Sequence, residues 1–539
     1  MYRTRCGERV ATIGFSYGFV PVSWKDEVEG IEARRRLAAE HGGHDAVEKQ
    51  HARGRLTVRE RIDALSDPGS FREYGAVAGV SETDDRGQLK SFTPANVVTG
   101  VAQVDGRPVV IGGDDFTIRG GAYSPAGLRK GQFVDVLAIR RRLPLVRLLE
   151  GGGASVSGSY ETRGRSGYDW TQPSPLNLFA MEALATVPVV CAALGPVAGF
   201  PAARLVASHF SVMTRETAVV LTGGPALVER ALGMKVTKEE LGGADVHLRS
   251  GVVDNEAENE ADAFRQIRAF LSYLPSNVWE LPSVTDCDDP ADRREDVLLS
   301  IIPRERRHAY KIRRLIEAVV DRGSFFELAP LYGRSQVTGF ARLSGHPVGV
   351  LANDAFHAGG AMTADSARKV RRFVETCDAF HLPIVSLVDE PGFMIGPEAE
   401  RAGTIRYGME AMFAVQQTRV PWVAVMLRKA FGVAQGIHLG PAPTVIAWPS
   451  VQGGALPVES GVALAFGREI ENAPDPEARR RELEEEMAAG QSVFPRAEDF
   501  GVHFLIDPRE TRPLLCNWIT EIQTELRAHL GPRTYSARP

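Results

Sequence analysis

Cysteine is scarce: Cys6, Cys191, Cys287, Cys377 and Cys516 are the only five in 539 residues. None forms a Cys-x-x-Cys pair, so no zinc ribbon or dithiol redox motif is readable. Their odd number and wide scatter fit a reducing cytosol, and a cytoplasmic protein is expected. No apolar run reaches the roughly 18 residues that span a bilayer. Residues 1–24 carry Arg3, Arg5 and Arg9 but no apolar h-region, and read as an N-terminal arm rather than a signal peptide. A net charge of −5 argues against nucleic acid as the main partner, while leaving room for a local basic patch that holds an anionic ligand. There is no G-x-x-x-x-G-K-[ST] loop, which argues against ATP hydrolysis, and no G-x-S-x-G elbow for a serine nucleophile. His209, His357 and His438 have no partner at metal-ligand spacing, and no metal site is read.

What the chain does have is its own middle twice. Thr99-Gly100, Gly106-Arg107-Pro108-Val109, Asp115, Gly120-Gly121-Ala122 and Leu143-Pro144 recur 239 residues later as Thr338-Gly339, Gly345-His346-Pro347-Val348, Asp354, Gly359-Gly360-Ala361 and Leu382-Pro383. Val187-Pro188 stands 11 residues before Gly199, as Val420-Pro421 stands 11 before Gly432. A period this long is duplication of a large domain, not a solenoid. Two like domains imply two like pockets, and so a function that handles two chemically similar groups. The length suits two generous domains: an arm at 1–24, a first domain at 25–280, a polar linker at 281–295 and a second domain at 296–539.

The local pattern is α/β. Residues 25–65 read as helical. In the second copy Val348–Leu351 reads as a buried strand, Ser366–Phe380 as a helix with Val370, Phe373, Val374 and Cys377 on one face, and Pro383–Val388 as a second strand. The first copy repeats this at Val109–Ile111, Ala126–Arg141 and Pro144–Leu149. Such alternation suggests parallel strands. Residues 472–489 read as a charged, solvated helix.

Three kinds of loop stand out in each copy, and ligands in such folds sit beyond the carboxyl ends of strands. The first is Gly-Gly-Ala at Gly120–Ala122 and Gly359–Ala361. The second follows an acid-ended strand: Glu150-Gly151-Gly152-Gly153-Ala154 and Asp389-Glu390-Pro391-Gly392-Phe393. The third closes the Val-Pro strand: Ala198-Gly199-Phe200 and Gly432-Val433-Ala434. A strand, a small-residue turn and a helix leave backbone N–H groups free to stabilise a developing anion. The same glycines also serve as plain turns. Asp115 and Asp354 read as helix caps, and Glu150, Asp389 and Glu390 as solvated loop acids. No side-chain base stands out, which leaves a site built from backbone amides.

At these loops the chain resembles the carboxyltransferase (β) subunits of biotin-dependent acyl-CoA carboxylases, of the propionyl-CoA and methylcrotonyl-CoA kinds, over about residues 30–530. Residues Gln50–Leu56 with Arg59–Ile62, Glu240–His247, Asp389–Phe393, Ala447–Pro449 and Ile506–Arg512 carry the resemblance, in this order. It implies two tandem crotonase-like domains of ββα spiral units, in a homo-oligomer that is usually a hexamer, with a site shared between subunits. It further implies acyl-CoA as substrate and biotin on a separate partner, a biotin carboxylase and carboxyl carrier subunit, since this chain has no Met-Lys-Met attachment motif. By position, the thioester hole falls at Gly199 and Phe200, and the biotin hole at Val433 and Ala434. Gly120, Gly121 and Gly151–Ala154 fall on the acyl-CoA side; Gly392, Phe393, Gly432 and Gly436 fall on the biotin side.

The family's first hole usually reads Ala-Gly-Gly-Ala, where this chain has Ala198-Gly199-Phe200-Pro201. The second usually reads Gly-Gly-Ala-Tyr-Asp, where this chain has Gly432-Val433-Ala434-Gln435-Gly436. Two alternatives stay open beside a carboxylase subunit: a biotin-dependent acyl-CoA decarboxylase α subunit with a membrane partner, and a non-catalytic paralogue that scaffolds a hexamer.

Overall fold

A computed structural model describes residues 23–85, 87–153 and 175–533. Most of the expected arm, Cys6 and Ala154 lie outside the described residues. The first copy builds β1 (Arg72–Glu73), the hairpin β2 (Gly79–Thr83) and β3 (Leu89–Pro94), β4 (Val97–Val104), β5 (Arg107–Asp114), β6 (Leu145–Gly151), β7 (Val189–Ala198), β8 (Phe210–Thr214), β9 (Val219–Leu221) and β10 (Asn255–Ala257). The second builds β11 (Phe326–Leu328), β12 (Gln336–Leu343), β13 (His346–Asn353), β14 (Ile384–Glu390), β15 (Trp422–Phe431), β16 (Thr444–Ala447), β17 (Gln452–Gly454) and β18 (Phe504–Leu505).

The first sheet runs β1-β4-β5-β6-β7-β8-β10 with β9 on β7, and the second runs β11-β12-β13-β14-β15-β16-β18 with β17 on β15. The two orders coincide strand for strand; among the described residues, only the β2–β3 hairpin has no counterpart. The expectation of parallel strands holds from β5 and β13 onward. Each sheet nevertheless opens with antiparallel pairs, β1–β4–β5 and β11–β12–β13. The tight turns Asp105-Gly106 and Ser344-Gly345, with all four residues at positive φ, permit this reversal where a crossover helix would have been needed for parallel pairing. Two such mixed sheets with crossover helices fit the tandem crotonase-like domains that the resemblance implies.

The crossover helices form where the patterning places them, at Pro125–Arg141 and Ala364–Ala379. Their caps are Ser124, which accepts from Gly127 N, and Thr363, which forms a capping box with Ser366. Asp115 and Asp354 do not cap helices. Asp115 accepts from Thr117 N and pairs with His41 at 2.7 Å; Asp354 accepts from Phe356 N and pairs with Arg313 at 2.7 Å. Residues 25–65 divide into three helices, Lys25–Ala39, His44–His51 and Val58–Leu65, and the charged helix forms at Pro476–Gly490. Among the described residues, no helix is long and apolar enough to cross a membrane.

One buried apolar cluster spans both copies, from Val58 to Leu526. The helix Glu260–Tyr273 is its bridge. Phe270 stacks on Phe210 of the first sheet at 4.8 Å and meets Phe340 of the second at 5.6 Å. Polar links reinforce the seam: Asn255 accepts from Ala329 N, and Arg372 reaches Asp254 and Ser208 O. Because Phe270 belongs to both sheets, Phe270→Ala is expected to cost about 3–5 kcal/mol. Urea unfolding followed separately in the two halves should show both transitions moving together; a shift confined to one half would contradict a shared core.

Candidate active site

The three loops of the first copy converge. Ala122 bridges to Gly153, and Tyr123 N donates to Gly153 O at 2.7 Å. Gly121 is required by this approach, since a Cβ there would stand 2.5 Å from Glu150 O and 2.7 Å from Gly151 Cα. A Cβ on Gly153 would lie 3.0 Å from Pro201 and 3.3 Å from Phe200 N, which brings in the third loop. The second copy repeats the contact of its first two loops: Met362 bridges to Phe393, and Met362 N donates to Gly392 O at 3.0 Å, while a Cβ on Gly392 would meet nothing within 4 Å, so its third loop stands farther off. A cleft of about 740 Å³ opens beside Phe393, lined in part by Thr363, Met394, Ile395, Pro397, Arg401 and Thr404.

Each third loop turns through a glycine at positive φ, Gly199 at 64° and Gly432 at 62°, which an L side chain resists. The helices Phe200–Val206 and Val433–Gln435 then begin. Gly199 N points to Leu221 O at 3.4 Å, and Gly432 N to Gly454 O at 3.1 Å. The expected donor Gly199 is therefore engaged with β9, while Phe200, Val433 and Ala434, as first-turn residues, have no intrahelical acceptor for their N–H groups. Pro201 has no N–H at all. The stretch Glu240–His247 backs this loop: His247 Nε2 meets Val220 O at 2.6 Å, on the strand that receives Gly199.

The acids expected in solvated loops are buried instead. Glu150 is fully enclosed, and the 50–61 stretch supplies its partners. Gln50 Nε2 donates to it at 2.7 Å, Arg61 at 2.5 Å, and Arg55 pairs with its other oxygen. Arg61 also grips Glu260 through bonds of 2.8 and 2.9 Å. Burial works against charge on Arg61, but the two carboxylates outweigh it and hold its guanidinium above its ordinary value. Asp389 is enclosed by Arg428 at 2.9 and 3.2 Å. Glu390 is enclosed by Asn353, Gln336 and Gly392 N. Nothing in the sequence pattern marks these partners, because they lie 89 and 95 positions apart for Arg61 and Arg55.

Phe200, the bulky departure, lies over the guanidinium of Arg204 at 4.5 Å. Arg204 in turn donates to Gly131 O at 3.0 Å and approaches Tyr123 Oη at 3.4 Å. Tyr123 donates to Asp114, whose other oxygen accepts Glu150 N at 3.4 Å. Asp114 is the counterpart of Asn353, whose side-chain oxygen accepts Asp389 N at 2.9 Å. Burial raises the Asp114 carboxyl from 3.8 to about 6, despite Arg204. Ala447–Pro449 and Ile506–Arg512 lie apart from the loops and tie the second domain together: Trp448 donates to Thr511, and Arg512 reaches Asp321 and the carbonyls of Asp289 and Pro290.

Residues 49–533 match a family model described as the carboxyl transferase domain. The chain is 34% identical over 499 residues to the carboxyltransferase subunit of propionyl-CoA carboxylase from Haloferax mediterranei, covering 91% of this chain and 95% of that one. It is 34% identical over 495 residues to the human mitochondrial propionyl-CoA carboxylase beta chain (90% and 89%). It is 31% identical over 520 residues to the methylmalonyl-CoA decarboxylase subunit alpha of Veillonella parvula (96% and 99%). Among solved structures, the hexameric transcarboxylase 12S with methylmalonyl-CoA bound superposes with a TM-score of 0.84 at 30% identity, covering 96% of this chain and 97% of that one. A single-chain, multi-domain long-chain acyl-CoA carboxylase superposes at 0.79 and 30% identity, covering 92% of this chain and 49% of that one.

Asp114 offers a test of the buried electrostatics. Its raised carboxyl means the folded state binds a proton more tightly than the unfolded chain, so its contribution to stability falls as pH rises from 3.8 through about 6. Asp114→Asn keeps an oxygen acceptor for Glu150 N, as Asn353 does for Asp389 N, and turns its NH2 to Tyr123 Oη, which then accepts, without the charge. It should match the wild type near pH 4 and exceed it above pH 6 by about 3 kcal/mol at most, at about 1.4 kcal/mol per pKa unit. Urea denaturation of both proteins across this range measures the difference; a gap that does not grow with pH would contradict the assignment.

Proposed function

Because the chain belongs to the carboxyltransferase (β) subunits of biotin-dependent acyl-CoA carboxylases, we propose that it moves a carboxyl group between a carboxybiotinyl carrier and the α carbon of a short acyl-CoA, of the propionyl-CoA class. The relatives above carry propionyl-CoA carboxylase names, and the superposed transcarboxylase binds methylmalonyl-CoA, the carboxylated form of that substrate. The observation that carries the mechanism is the same in both copies: a positive-φ glycine turn leads into first-turn amides, beside acids already consumed by partners.

On the acyl-CoA side, Gly120, Gly121 and Gly151–Gly153 form the bed for the thioester end; Ala154, outside the described residues, belongs to the same expectation. Phe200 N–H, aided by the turn at Gly199, holds the thioester oxygen as it gains charge on the way to the enolate. A backbone donor does this without changing its own protonation state. Glu150 and Asp114 are not bases for this step, since Glu150 is paired with Arg55 and Arg61 and Asp114 is buried behind Tyr123.

On the other side, Val433 and Ala434 N–H suit a cyclic urea carbonyl, which only accepts, and Gly392, Phe393, Gly432 and Gly436 border them. Biotin, carried by a partner protein, supplies the transferable carboxyl group and the base when bound there. Val433 is exposed and Ala434 is buried, so Val433 is the member of the pair that an incoming carrier would meet first. A hexamer, with the first domain of one subunit facing the second domain of another, and a division at residues 281–295 belong to this reading. The match to the Veillonella decarboxylase subunit favours a second direction, CO2 moving from acyl-CoA to biotin. The same amides hold the same enolate in both directions.

The test uses purified chain, a carboxylated carrier protein and a panel of acyl-CoAs. Transfer to propionyl-CoA is expected. No transfer to any acyl-CoA, from a carrier active with a known transferase and with CoA still bound, would overturn the reading. Val433→Pro removes one N–H at a first helical position that tolerates proline. It should lower kcat about 100-fold with acyl-CoA binding retained.

A further inference from the structure

Ser386, His438 and Glu390 form a chain inside the second domain. Ser386 Oγ lies 3.0 Å from His438 Nδ1, and His438 Nε2 lies 3.3 Å from Glu390 Oε2. All three are fully buried. The order is that of nucleophile, base and acid, but no substrate reaches Ser386, so the chain does not serve nucleophilic attack. A neutral imidazole protonated on Nε2 satisfies both neighbours: Nε2–H donates to Glu390, and Nδ1 accepts from the Ser386 hydroxyl.

The role follows from where the connections lead. Glu390 Oε1 accepts from Gly392 N in the second loop at 2.9 Å. Its Oε2 accepts from Asn353 at 3.0 Å and Gln336 at 3.3 Å, and both amides also donate to Gly360 O in the first loop. His438 lies in the short helix Gly436–Leu439, which directly continues Val433–Gln435, and its carbonyl accepts from Trp422 Nε1 at 2.7 Å. One carboxylate therefore collects a connection from each of the three loops. The first copy has no such hub: Gly151 stands at the position of Glu390, and the neighbouring Glu150 is held by Gln50, Arg55 and Arg61, none of which belongs to the third loop of that copy.

We propose that His438 is a positioning residue for the biotin-side half of the reaction: through Glu390 it sets the direction of the Val433 and Ala434 N–H groups. This rests on the carboxyltransferase reading above. Small misplacement of such donors is enough to matter, since about 1 Å costs on the order of 100-fold in rate.

Three variants test it. His438→Leu removes both bonds; His438→Gln carries an amide nitrogen far enough to reach Glu390; His438→Asn reaches only toward Ser386. The readouts are kcat and KM for acyl-CoA, affinity for free biotin by calorimetry, and backbone hydrogen exchange over residues 431–439 and 198–206. Expected for Leu and Asn are a kcat lower by about 10- to 100-fold, an unchanged acyl-CoA KM, weaker biotin binding, and faster exchange at 431–439 alone. Gln should recover most of the loss. Three variants equal to wild type, or three equally impaired with acyl-CoA binding and both segments affected, would overturn the proposal. If Leu fails to fold, the Gln–Asn contrast decides. If the wild type transfers nothing, the carboxyltransferase reading fails instead, and exchange at 431–439 still decides the role of His438.

Discussion

A loop that offers unpaired backbone N–H groups to a ligand has given up the bonds that would hold it still. That constraint organises the whole structure. Glycine turns deliver the amides of Phe200, Val433 and Ala434, and glycine also makes the turns pliable. Rigidity is supplied from below, by carboxylates at strand ends that gather donors from elsewhere in the chain. Glu150 draws in a segment before the first sheet, and Glu390 ties together the loops that surround it. Burying such acids is tolerable only because each is paired.

The two copies solve this one problem alike at one acid, and the second adds another. Their strand orders coincide, and Asp114 and Asn353 receive the same backbone N–H one residue before the second loop. The matching acids Glu150 and Asp389 are both held by arginine, but the second copy adds Glu390, held by amides and an imidazole, where the first has Gly151. The surroundings differ too. Phe200 rests on Arg204 where the family has a small residue, so a wider side chain at the thioester loop is matched by a cation that fixes its ring. The exposed Val433 has no such partner among the contacts of its loop, and it faces outward.

Much of this was legible in the residues. Repetition of short motifs at a constant offset exposed the duplication, and apolar periodicity located the crossover helices to within a few residues. Glycine loops after strands pointed to amide chemistry, and the motifs from Gln50–Leu56 to Ile506–Arg512 pointed to carboxyl transfer. The partners of the acids were not legible. A carboxylate at a strand end looks solvated until the segment that covers it is in place, and Arg55, Arg61 and His438 carry no local sign of their targets. The antiparallel opening of each sheet was hidden as well, because a two-residue turn and a crossover both begin with small polar residues. Asp115 and Asp354 misled for a related reason: an acid after a strand closes a turn as readily as it caps a helix.

The aromatic bridge has an evolutionary consequence. Duplicated domains usually stay separable, and one copy can later be lost or replaced. Here Phe270 lies between Phe210 and Phe340, and a single apolar interior runs through both halves. A gene shortened to one copy would bare that stripe to water and lose its mate. Neither half can therefore be lost without exposing the cluster that both share, and the two copies are tied to one fate.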